Sequence, residues 1–393
     1  MEILFISHKY PPTIGGMEKQ CYELIRHTAK NQTVHQLVFT GEHESKFTFF
    51  FQLKKRVKKI LKANPNIDII HLNDGLMGLF CTWLKSYTDI PVAITFHGLD
   101  LVFPNRLYQQ RIRKHFSKFD AAICVSTATA NECIARNFPK EKVFVVPNGV
   151  DHELADHNFD NSATRKFIQE KYDLDLSNKK IIVTLGRPVK RKGFSWFLDQ
   201  VARQLNDDIV ILMIGPLTPP KKKSLVGRLI PKSVKDRIEL MYGGVNDEAA
   251  VRQLLQSPPL DNKVIQTGKL PFEQLLSVLH LADLFVMPNI KMEGDMEGFG
   301  LVALEAALCQ TVVMVSNIDG IPEAIQDQKN GYHLPTANAQ AWISQIHSLI
   351  NQPELLATKA KEFQEFTLAN YGWQKMADGY LEVFGRIYEK TRK

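Results

Sequence analysis

The fold of this chain is decided by the stretch Met296-Glu297-Gly298-Phe299-Gly300-Leu301-Val302-Ala303-Leu304-Glu305. The apolar run from Leu284 to Met287 before it predicts a buried strand, and Leu301 to Leu308 predict a helix. Glycines at this junction let a ligand approach the backbone N–H groups at the helix N-terminus, where the helix dipole favours a phosphate. The order of strand, glycine-rich turn and helix therefore indicates a phosphate-binding turn in an α/β domain.

Glu297 and Glu305 stand eight residues apart in this stretch. If the stretch is mostly helical, they lie roughly 12 Å apart along the helix axis. The two carboxyl groups of a retaining glycosidase lie only about 5 Å apart. The spacing therefore argues against glycoside hydrolysis. It indicates an elongated ligand with phosphates in its middle, such as a nucleotide sugar.

The length and composition predict a soluble protein of two domains. The chain has 393 residues, 44% of them hydrophobic and 23% charged, which is typical of globular proteins. No apolar run reaches the roughly 20 residues that span a bilayer, and the N-terminus reads as a first strand, without the features of a signal peptide. The five cysteines show neither metal-ligand nor redox spacing. An odd number of unpaired thiols suits a reducing cytoplasm, where we expect the protein.

A formal charge of +7 predicts an anionic partner. No nucleic-acid module is recognisable, which leaves phosphorylated small molecules and anionic lipid surfaces. One basic segment, residues 54–62, carries an apolar stripe and follows a group of phenylalanines, so it can lie on an anionic membrane. The alternative, which we favour, is a surface helix that packs its stripe on a sheet. The stripe is Leu53, Val57, Ile60 and Leu61, and the phenylalanines are Phe47, Phe49, Phe50 and Phe51. A second basic cluster lies between Lys221 and Arg237.

Short apolar strands alternate with helical patterns along the whole chain, which predicts parallel α/β architecture. A polar segment from Asp151 to Lys179 interrupts the alternation and marks the domain boundary. We expect ligands at the carboxyl ends of the strands. The predicted strands begin at Ile3, Val34, Asp68, Val92, Ala121 and Val143 in the first half, and at Ile181, Ile209, Val264, Leu284 and Val312 in the second.

Three further turns follow predicted strands. In Gly186-Arg187-Pro188-Val189-Lys190-Arg191-Lys192-Gly193, two cations five residues apart can clamp a diphosphate, although a solvated basic loop is equally compatible. Gly15 and Gly16 bring backbone amides close to a phosphate or sugar, or simply start a helix. His97 ends a strand and is more compatible with a substrate contact than with a core position.

Two other site types are considered. Gly298-x-Gly300-x-x-Ala303, with Asp319 about 20 residues further on, matches a relaxed dinucleotide-binding fingerprint. Nine residues, Asn289 to Glu297, lie between Pro288 at the strand end and these glycines, whereas the fingerprint needs an immediate tight turn, so we discount it. No histidine pair has metal-ligand spacing in a suitable context, and we expect no metal requirement.

Five motifs occur in one order: Gly15-Gly16, His97-Gly98-x-Asp100, Asn148-Gly149-Val150-Asp151, Gly186-Arg187 with Lys192-Gly193, and Glu297-x7-Glu305. This set resembles the retaining glycosyltransferases of group one, family four, which include glycogen-synthase-like and phosphatidylinositol-mannosyltransferase-like enzymes. The resemblance implies a GT-B fold, with two Rossmann-like doubly wound domains facing a central cleft and a C-terminal helix that crosses back to the first domain. It implies an acceptor-side domain at 1–165, a nucleotide-sugar-binding domain at 166–370 and the returning helix at 371–393.

The resemblance also implies roles for individual residues. Arg187 and Lys192 would bind the donor diphosphate, Glu297 the transferred sugar and Glu305 the ribose. The catalytic set would be His97, Arg187, Lys192 and Glu297. The other donor-binding residues would be Gly15, Gly16, Gly268, Leu270, Gly298, Phe299, Gly300 and Leu301.

The implied reaction moves a hexose from a UDP- or GDP-linked sugar to an alcohol acceptor, with retention and without a metal or cofactor. The acceptor would be a glycan or a lipid-linked molecule. The alternatives are a nucleotide-sugar-binding protein without turnover and an NAD-dependent oxidoreductase. The chain departs from the family pattern at the extra residues Lys291-Met292-Glu293-Gly294-Asp295, beside the sugar-facing glutamate. The donor sugar therefore stays open.

Overall fold

The computed structural model describes residues 1–157, 159–216 and 244–392, and the chain divides into two compact units. The first contains Met1–Val150 and Tyr371–Lys393, and the second contains Asp151–Asn370. The second unit begins before the boundary that the sequence places at 165/166, because the helix Asn161–Tyr172 packs on the helix Phe272–Leu281 of that unit. The basic cluster between Lys221 and Arg237 lies outside the described residues.

The first unit contains a six-stranded parallel sheet in the order β2-β1-β3-β4-β5-β6. Leu4 of β1 pairs with His35 of β2 on one side and with Ile70 of β3 on the other. Strands β4 and β5 are buried along their whole length, as their nearly continuous apolar sequences require. The strands are β1 (Glu2–Ser7), β2 (Thr33–Val38), β3 (Ile67–Leu72), β4 (Val92–Phe96), β5 (Ala121–Cys124) and β6 (Val143–Val145).

Helices flank this sheet, and several begin at side-chain caps that the sequence supplies. Ser45 caps α2, Asp74 caps α3 and Ser126 caps α6, in each case by accepting hydrogen bonds from backbone N–H groups of the first turn. The helices are α1 (Gly16–Thr28), α2 (Lys46–Ala63), α3 (Gly75–Cys81), α4 (Leu99–Val102), α5 (Arg106–His115) and α6 (Thr127–Ile134).

The last helix of the chain (Trp373–Thr391) also belongs to the first unit, which confirms the predicted return. It packs on α1, and the fully buried Tyr380 hydroxyl lies 3.0 Å from Gln20 Nε2 and 3.1 Å from Thr95 Oγ1. Thr95 Oγ1 in turn lies 2.8 Å from Nε2 of the buried His71. Burial lowers the pKa of His71 to about 3, so this network contains a neutral imidazole.

The second unit contains another six-stranded parallel sheet, in the order β12-β11-β10-β7-β8-β9. Every residue of β8 is buried, in agreement with its sequence Ile-Val-Ile-Leu-Met-Ile. The three-residue strand β12 is absent from the predicted set, while the other strands lie where the sequence predicts them. The strands are β7 (Lys180–Leu185), β8 (Ile209–Ile214), β9 (Val264–Gly268), β10 (Leu284–Met287), β11 (Val312–Ser316) and β12 (Tyr332–Leu334).

The helices of the second unit cover both faces of its sheet. Trp342 is fully buried in the core of this unit, its ring meets that of Phe197 edge to face, and its Nε1 donates to the carbonyl oxygen of Pro335. The described helices are α7 (Asn161–Tyr172), α8 (Phe194–Gln200), α9 (Glu248–Leu254), α10 (Leu260–Lys263), α11 (Phe272–Leu281), α12 (Leu301–Leu308), α13 (Ile321–Ala324), α14 (Ala339–Ile350), α15 (Pro353–Asn370) and, in the first unit, α16 (Trp373–Thr391).

Each sheet reverses its strand order at one point. In the second sheet the reversal falls between β7 and β10, and in the first sheet between β1 and β3. Open α/β sheets bind ligands at the carboxyl ends of the strands on either side of this switch point. The loops after β7 and β10 are therefore the first place to look for a site in the second unit. Among the described residues, no helix is long and apolar enough to cross a membrane.

Candidate functional site

The loops after β7 and β10 meet at an ion pair. Nζ of Lys192, in the loop after β7, lies 2.7 Å from Oε2 of Glu297, in the loop after β10. The side-chain nitrogen of Asn289 donates to the same oxygen at 3.2 Å. Both charged side chains are nearly buried, at 11% and 15% exposure. The sequence predicts both residues as ligand contacts, and the structure brings them together.

Arg191 makes a second bridge between the same loops. Its Nη1 lies 2.9 Å from Oε2 of Glu297, and its Nε donates to Oδ1 of Asp295 at 3.0 Å. Asp295 is 3% exposed, so its charge is out of water and its pairing with the guanidinium is essential. Arg191 and Asp295 are absent from the predicted site residues, although Asp295 ends the insert that the sequence singles out.

The electrostatics of this cluster keep Glu297 ionised. Burial alone raises the pKa of a carboxyl group, but the charges of Lys192 and Arg191 outweigh that effect and lower the pKa of Glu297 to about 2. Burial raises the pKa of Asp295, against the pull of Arg191. Burial lowers the pKa of Lys192, and the nearby charge of Arg187 acts in the same direction. Cations and carboxylates thus alternate in a nearly buried cluster.

A third carboxylate supports the backbone of this loop. Oδ2 of Asp319 accepts a hydrogen bond from the backbone N–H of Glu297, and the N–H of Gly320 donates to the Glu297 carbonyl oxygen. Lys291, in the insert, binds the other oxygen of Asp319 at 3.0 Å. Asp319 therefore fixes the position of Glu297, which is a different role from the ribose contact that the dinucleotide fingerprint would give it.

Two glycines adopt backbone conformations with positive φ at this site, and Gly193 lets the loops after β7 and β10 approach each other. Gly193 has φ +68°, and a Cβ atom there would lie 1.9 Å from the carbonyl oxygen of Pro288. Gly300 has φ +102° and directly precedes α12. An L side chain rarely adopts either conformation, so both positions require glycine. Gly300 thus leads into the first turn of α12, where the sequence predicts a phosphate contact, and that contact stays a prediction.

The stretch between Glu297 and Glu305 is helical only in its second half. The residues from Glu297 to Gly300 form a loop, and α12 begins only at Leu301. The separation of roughly 12 Å assumes a mostly helical stretch, so that assumption is wrong for its first half. The long connection from Pro288 to Gly300 also lacks the tight strand-to-helix turn of a dinucleotide fingerprint.

The remaining predicted donor residues lie around the same edge. Arg187 is exposed just after β7, Glu305 is half-buried in the second turn of α12, and Phe299 is buried beside Gly298. Gly268 ends β9 with φ +74°, and Leu270 follows it half-buried. At the start of α8 the Asp247 carboxylate binds both the N–H and the hydroxyl of Ser195. The carboxylate of Asp247 thus occupies the N-terminus of α8.

The predicted residues of the first unit lie at the carboxyl ends of its strands. Gly15 and Gly16 begin α1 after β1. His97 follows β4, where its Nε2 lies 2.8 Å from the Asn73 carbonyl oxygen and its backbone N–H donates to Asp100. Asp100 also accepts from the N–H of Gly75, so this aspartate ties the ends of two strands together. The substrate contacts assigned to these residues stay predictions.

A different pair occupies the switch point of the first sheet. Nδ1 of His8, after β1, lies 3.0 Å from Oδ2 of Asp74, after β3, and both side chains are buried. Asp74 also accepts from the N–H groups of Leu76 and Met77. Sequence reasoning missed this pair, although His8 directly follows one predicted strand and Asp74 stands two residues after the end of another. Among the described residues, no group of three or more His, Cys, Asp or Glu side chains is arranged to hold a metal ion.

Comparison with solved structures identifies the class of fold. The chain superimposes on Anabaena Alr3699/HepE, solved in complex with UDP and glucose, with a TM-score of 0.72 and 18% identity over 98% of this chain and 100% of that one. Sucrose-phosphate synthase from Thermosynechococcus elongatus gives a TM-score of 0.71 at 19% identity, over 99% of both chains. The two doubly wound sheets therefore define a GT-B fold.

The sequence comparisons define the family. Residues 165–365 match the model of glycosyl transferases group 1, and residues 14–154 match that of glycosyltransferase family 4. The first match spans just over half of the chain, and the protein belongs to the group 1 glycosyltransferases. It is 22% identical to alpha-maltose-1-phosphate synthase of Mycolicibacterium smegmatis, over 98% of this chain and 100% of that protein. It is 21% identical to the phosphatidylinositol N-acetylglucosaminyltransferase GPI3 subunit of Saccharomyces cerevisiae, over 98% of this chain and 76% of that protein.

Proposed function

We propose that this glycosyltransferase moves a hexose from a nucleotide diphosphate sugar, linked to UDP or GDP, to an alcohol acceptor with retention and without a metal. The observation that carries the proposal is the Lys192–Glu297 pair at the switch point of the second sheet. This pair places a cation, Lys192, beside a carboxylate, Glu297, that can accept hydrogen bonds from hydroxyl groups. Both lie near the N-terminus of α12, which Gly300 precedes. Alr3699/HepE, a neighbour in fold, binds UDP and glucose.

The charges of the cluster suit each part of such a donor. An ammonium group has three N–H donors, so Lys192 can bind a diphosphate oxygen while it keeps its bond to Glu297. Arg187, exposed after β7, adds a second cation for the diphosphate. Three donors converge on Oε2 of Glu297. We therefore assign the sugar hydroxyls to its other oxygen, Oε1. Glu305, on α12, binds the ribose hydroxyls.

The reaction breaks the bond between the anomeric carbon and the phosphate oxygen, and the electron pair leaves with the nucleoside diphosphate. Lys192, Arg187 and the N-terminus of α12 stabilise the charge that develops on this leaving group. The acceptor oxygen attacks the same face of the sugar, and its proton passes to the departing phosphate oxygen. Glu297 holds the sugar while the anomeric carbon carries oxocarbenium character.

We further propose that the acceptor is a glycan or a lipid-linked alcohol, in cell-surface polysaccharide or glycolipid synthesis, and that the enzyme works in the cytoplasm with a peripheral contact to an anionic membrane. The excess of basic residues supports the membrane contact. The GPI3 relative acts on phosphatidylinositol, according to its name.

A donor screen tests the proposal. The purified protein is incubated with single UDP-, GDP- and ADP-sugars together with a panel of glycan and lipid-linked alcohol acceptors, and mass spectrometry follows the release of nucleoside diphosphate and the formation of the glycosylated acceptor. We expect turnover of a UDP- or GDP-hexose that EDTA does not reduce, and NMR of the product should show the anomeric configuration of the donor. Thermal shift with UDP, GDP and NAD is the matched binding measurement. Stabilisation by NAD alone, or binding of nucleotide sugars without any turnover, would contradict the proposal.

A further inference from the structure

We propose that the first unit docks on an anionic phospholipid bilayer through one face of α2 and the aromatic side chains beside it. This inference deepens the proposed membrane contact and rests on it, by naming the surface that makes the contact. We call this surface the aromatic–lysine face. Its members are Phe47, Phe51, Lys54, Lys55, Lys58, Lys62, Phe80, Trp83 and Tyr87.

Two phenylalanines on α2 are displayed to solvent. Phe47 is 79% exposed and Phe51 is 82% exposed, and their rings stack with centroids 6.3 Å apart. They stand four residues apart, so they occupy one side of the helix. The core uses a different side, because Phe49, Leu53 and Val57 are the buried residues of α2. The apolar stripe therefore packs inside the unit, as the favoured sequence interpretation predicts, while the exposed rings are an additional feature.

Several lysines lie on the same side of α2 as Phe47 and Phe51. Phe47, Phe51, Lys54 and Lys58 follow one another at steps of four, three and four residues, which keeps them on one face. The 18 residues of α2 contain seven Lys and Arg and no Asp or Glu. Glu44, just before the helix, is bound by Arg56. The face is therefore aromatic at its N-terminal end and cationic along the rest.

Neighbouring aromatic side chains widen the face and orient its lysines. Nζ of Lys54 lies 5.3 Å from the centre of a Trp83 ring, and Nζ of Lys58 lies 4.3 Å from that of Tyr87. Tyr87 is 45% exposed and Phe80 is 44% exposed. Tryptophan and tyrosine are the residues that favour the headgroup level of a membrane.

An anionic bilayer fits this combination of charge and exposed rings. Phenylalanines displayed on a basic helix insert at the boundary between headgroups and acyl chains, and the lysines bind lipid phosphates. Lysine stems can lie along an apolar surface while their ammonium groups reach the headgroups. A nucleic-acid duplex would use the lysines but leave the exposed phenylalanines without a partner, because its bases are already stacked. Bases of a single strand can stack on such rings, but the chain contains no recognisable nucleic-acid module. An acidic protein partner would bind this face without lipid, so binding to vesicles distinguishes it from a bilayer.

Vesicle sedimentation of the full chain tests this surface. The protein is mixed with vesicles of phosphatidylcholine alone or of equal parts phosphatidylcholine and phosphatidylglycerol. We expect binding to the anionic vesicles and much weaker binding to the neutral ones. Phe47→Ser with Phe51→Ser should weaken binding at least about tenfold, since each ring loses its apolar burial. Phe272→Ser, at a phenylalanine of the second unit that is 52% exposed, is the matched control and should bind as the unaltered chain does.

A charge variant separates the two contributions. Lys54→Gln, Lys55→Gln and Lys62→Gln together should weaken binding to anionic vesicles by about fivefold for each lysine, and Lys361→Gln, at a lysine exposed on the second unit, should not.

In a Phe51→Trp variant, tryptophan emission should shift to shorter wavelength on anionic vesicles. Unaltered binding of the double phenylalanine variant overturns the proposal. Equal binding to neutral vesicles, or oligomers that dissociate in that variant without lipid, also overturns it. Binding of UDP or GDP without vesicles is a separate readout, so failure of this surface is distinguishable from failure of the proposed activity.

Discussion

The ammonium nitrogen of Lys192 lies 2.7 Å from Oε2 of Glu297, and this contact joins the two loops at the switch point of the second sheet. The cation assigned to the diphosphate and the carboxylate assigned to the sugar are therefore one electrostatic unit. Arg191 extends it to Asp295, and Asp319 fixes the backbone of Glu297. A donor that binds here meets groups whose positions are already set by one another, which lowers the cost of ordering the site on binding.

Glu297→Gln should abolish most of the transfer while nucleotide binding persists. The amide keeps the shape but loses the charge that holds Lys192 and Arg191, so we expect kcat/KM to fall at least about a hundredfold. The measurements are steady-state kinetics with the donor from the screen and a titration with the free nucleotide. Glu293→Gln, at an exposed position of the same loop, is the matched control and should retain activity. Unchanged turnover in Glu297→Gln would remove the role assigned to this carboxylate.

The stability of the second unit should depend on Glu297 at acid pH. Its pKa is about 2 in the folded protein, whereas a glutamate side chain in water has a pKa of 4.5. A lowered folded-state pKa stabilises the protein above the unfolded pKa, and this contribution is lost as the pH falls from about 4.5 toward about 2. The difference in unfolding temperature between the unaltered chain and Glu297→Gln should therefore be largest near neutrality and shrink across that window. A difference that is constant with pH would contradict the assigned pKa.

The sequence predicts the elements more fully than the site. Strand β8 is recognisable because all its residues are apolar, and helix α12 because its apolar run follows a glycine. Strand β12 has only three residues, too few to show a period. Lys192 and Glu297 are found because they follow strands. Arg191 and Asp295 are 104 positions apart in the chain, and each looks like a solvated charge until the fold brings the two together.

Gly193→Ala should destabilise the second unit by about 1 kcal/mol or more, because φ +68° is unfavourable for alanine and its Cβ would collide with the Pro288 carbonyl oxygen. Gly385→Ala is the matched control. It lies inside α16, where an added Cβ meets nothing within 4 Å, so it should stabilise the protein by about 0.5–1 kcal/mol. Chemical denaturation of both variants measures the two effects. A tolerated Gly193→Ala would mean that the loops after β7 and β10 need not approach this closely.

Tyr380→Phe should loosen the last helix from the first unit. Its hydroxyl is the shared partner of Gln20 and Thr95, so removing it leaves two buried polar groups with one partner fewer each. We expect a loss of about 1–3 kcal/mol in unfolding free energy. Faster amide hydrogen exchange along Trp373–Thr391 would show where the loss falls. Tyr22→Phe, at an exposed tyrosine on α1, should leave both quantities unchanged. If exchange in the last helix were the same in both variants, apolar packing of Phe384 and its neighbours would hold the helix without this hydroxyl.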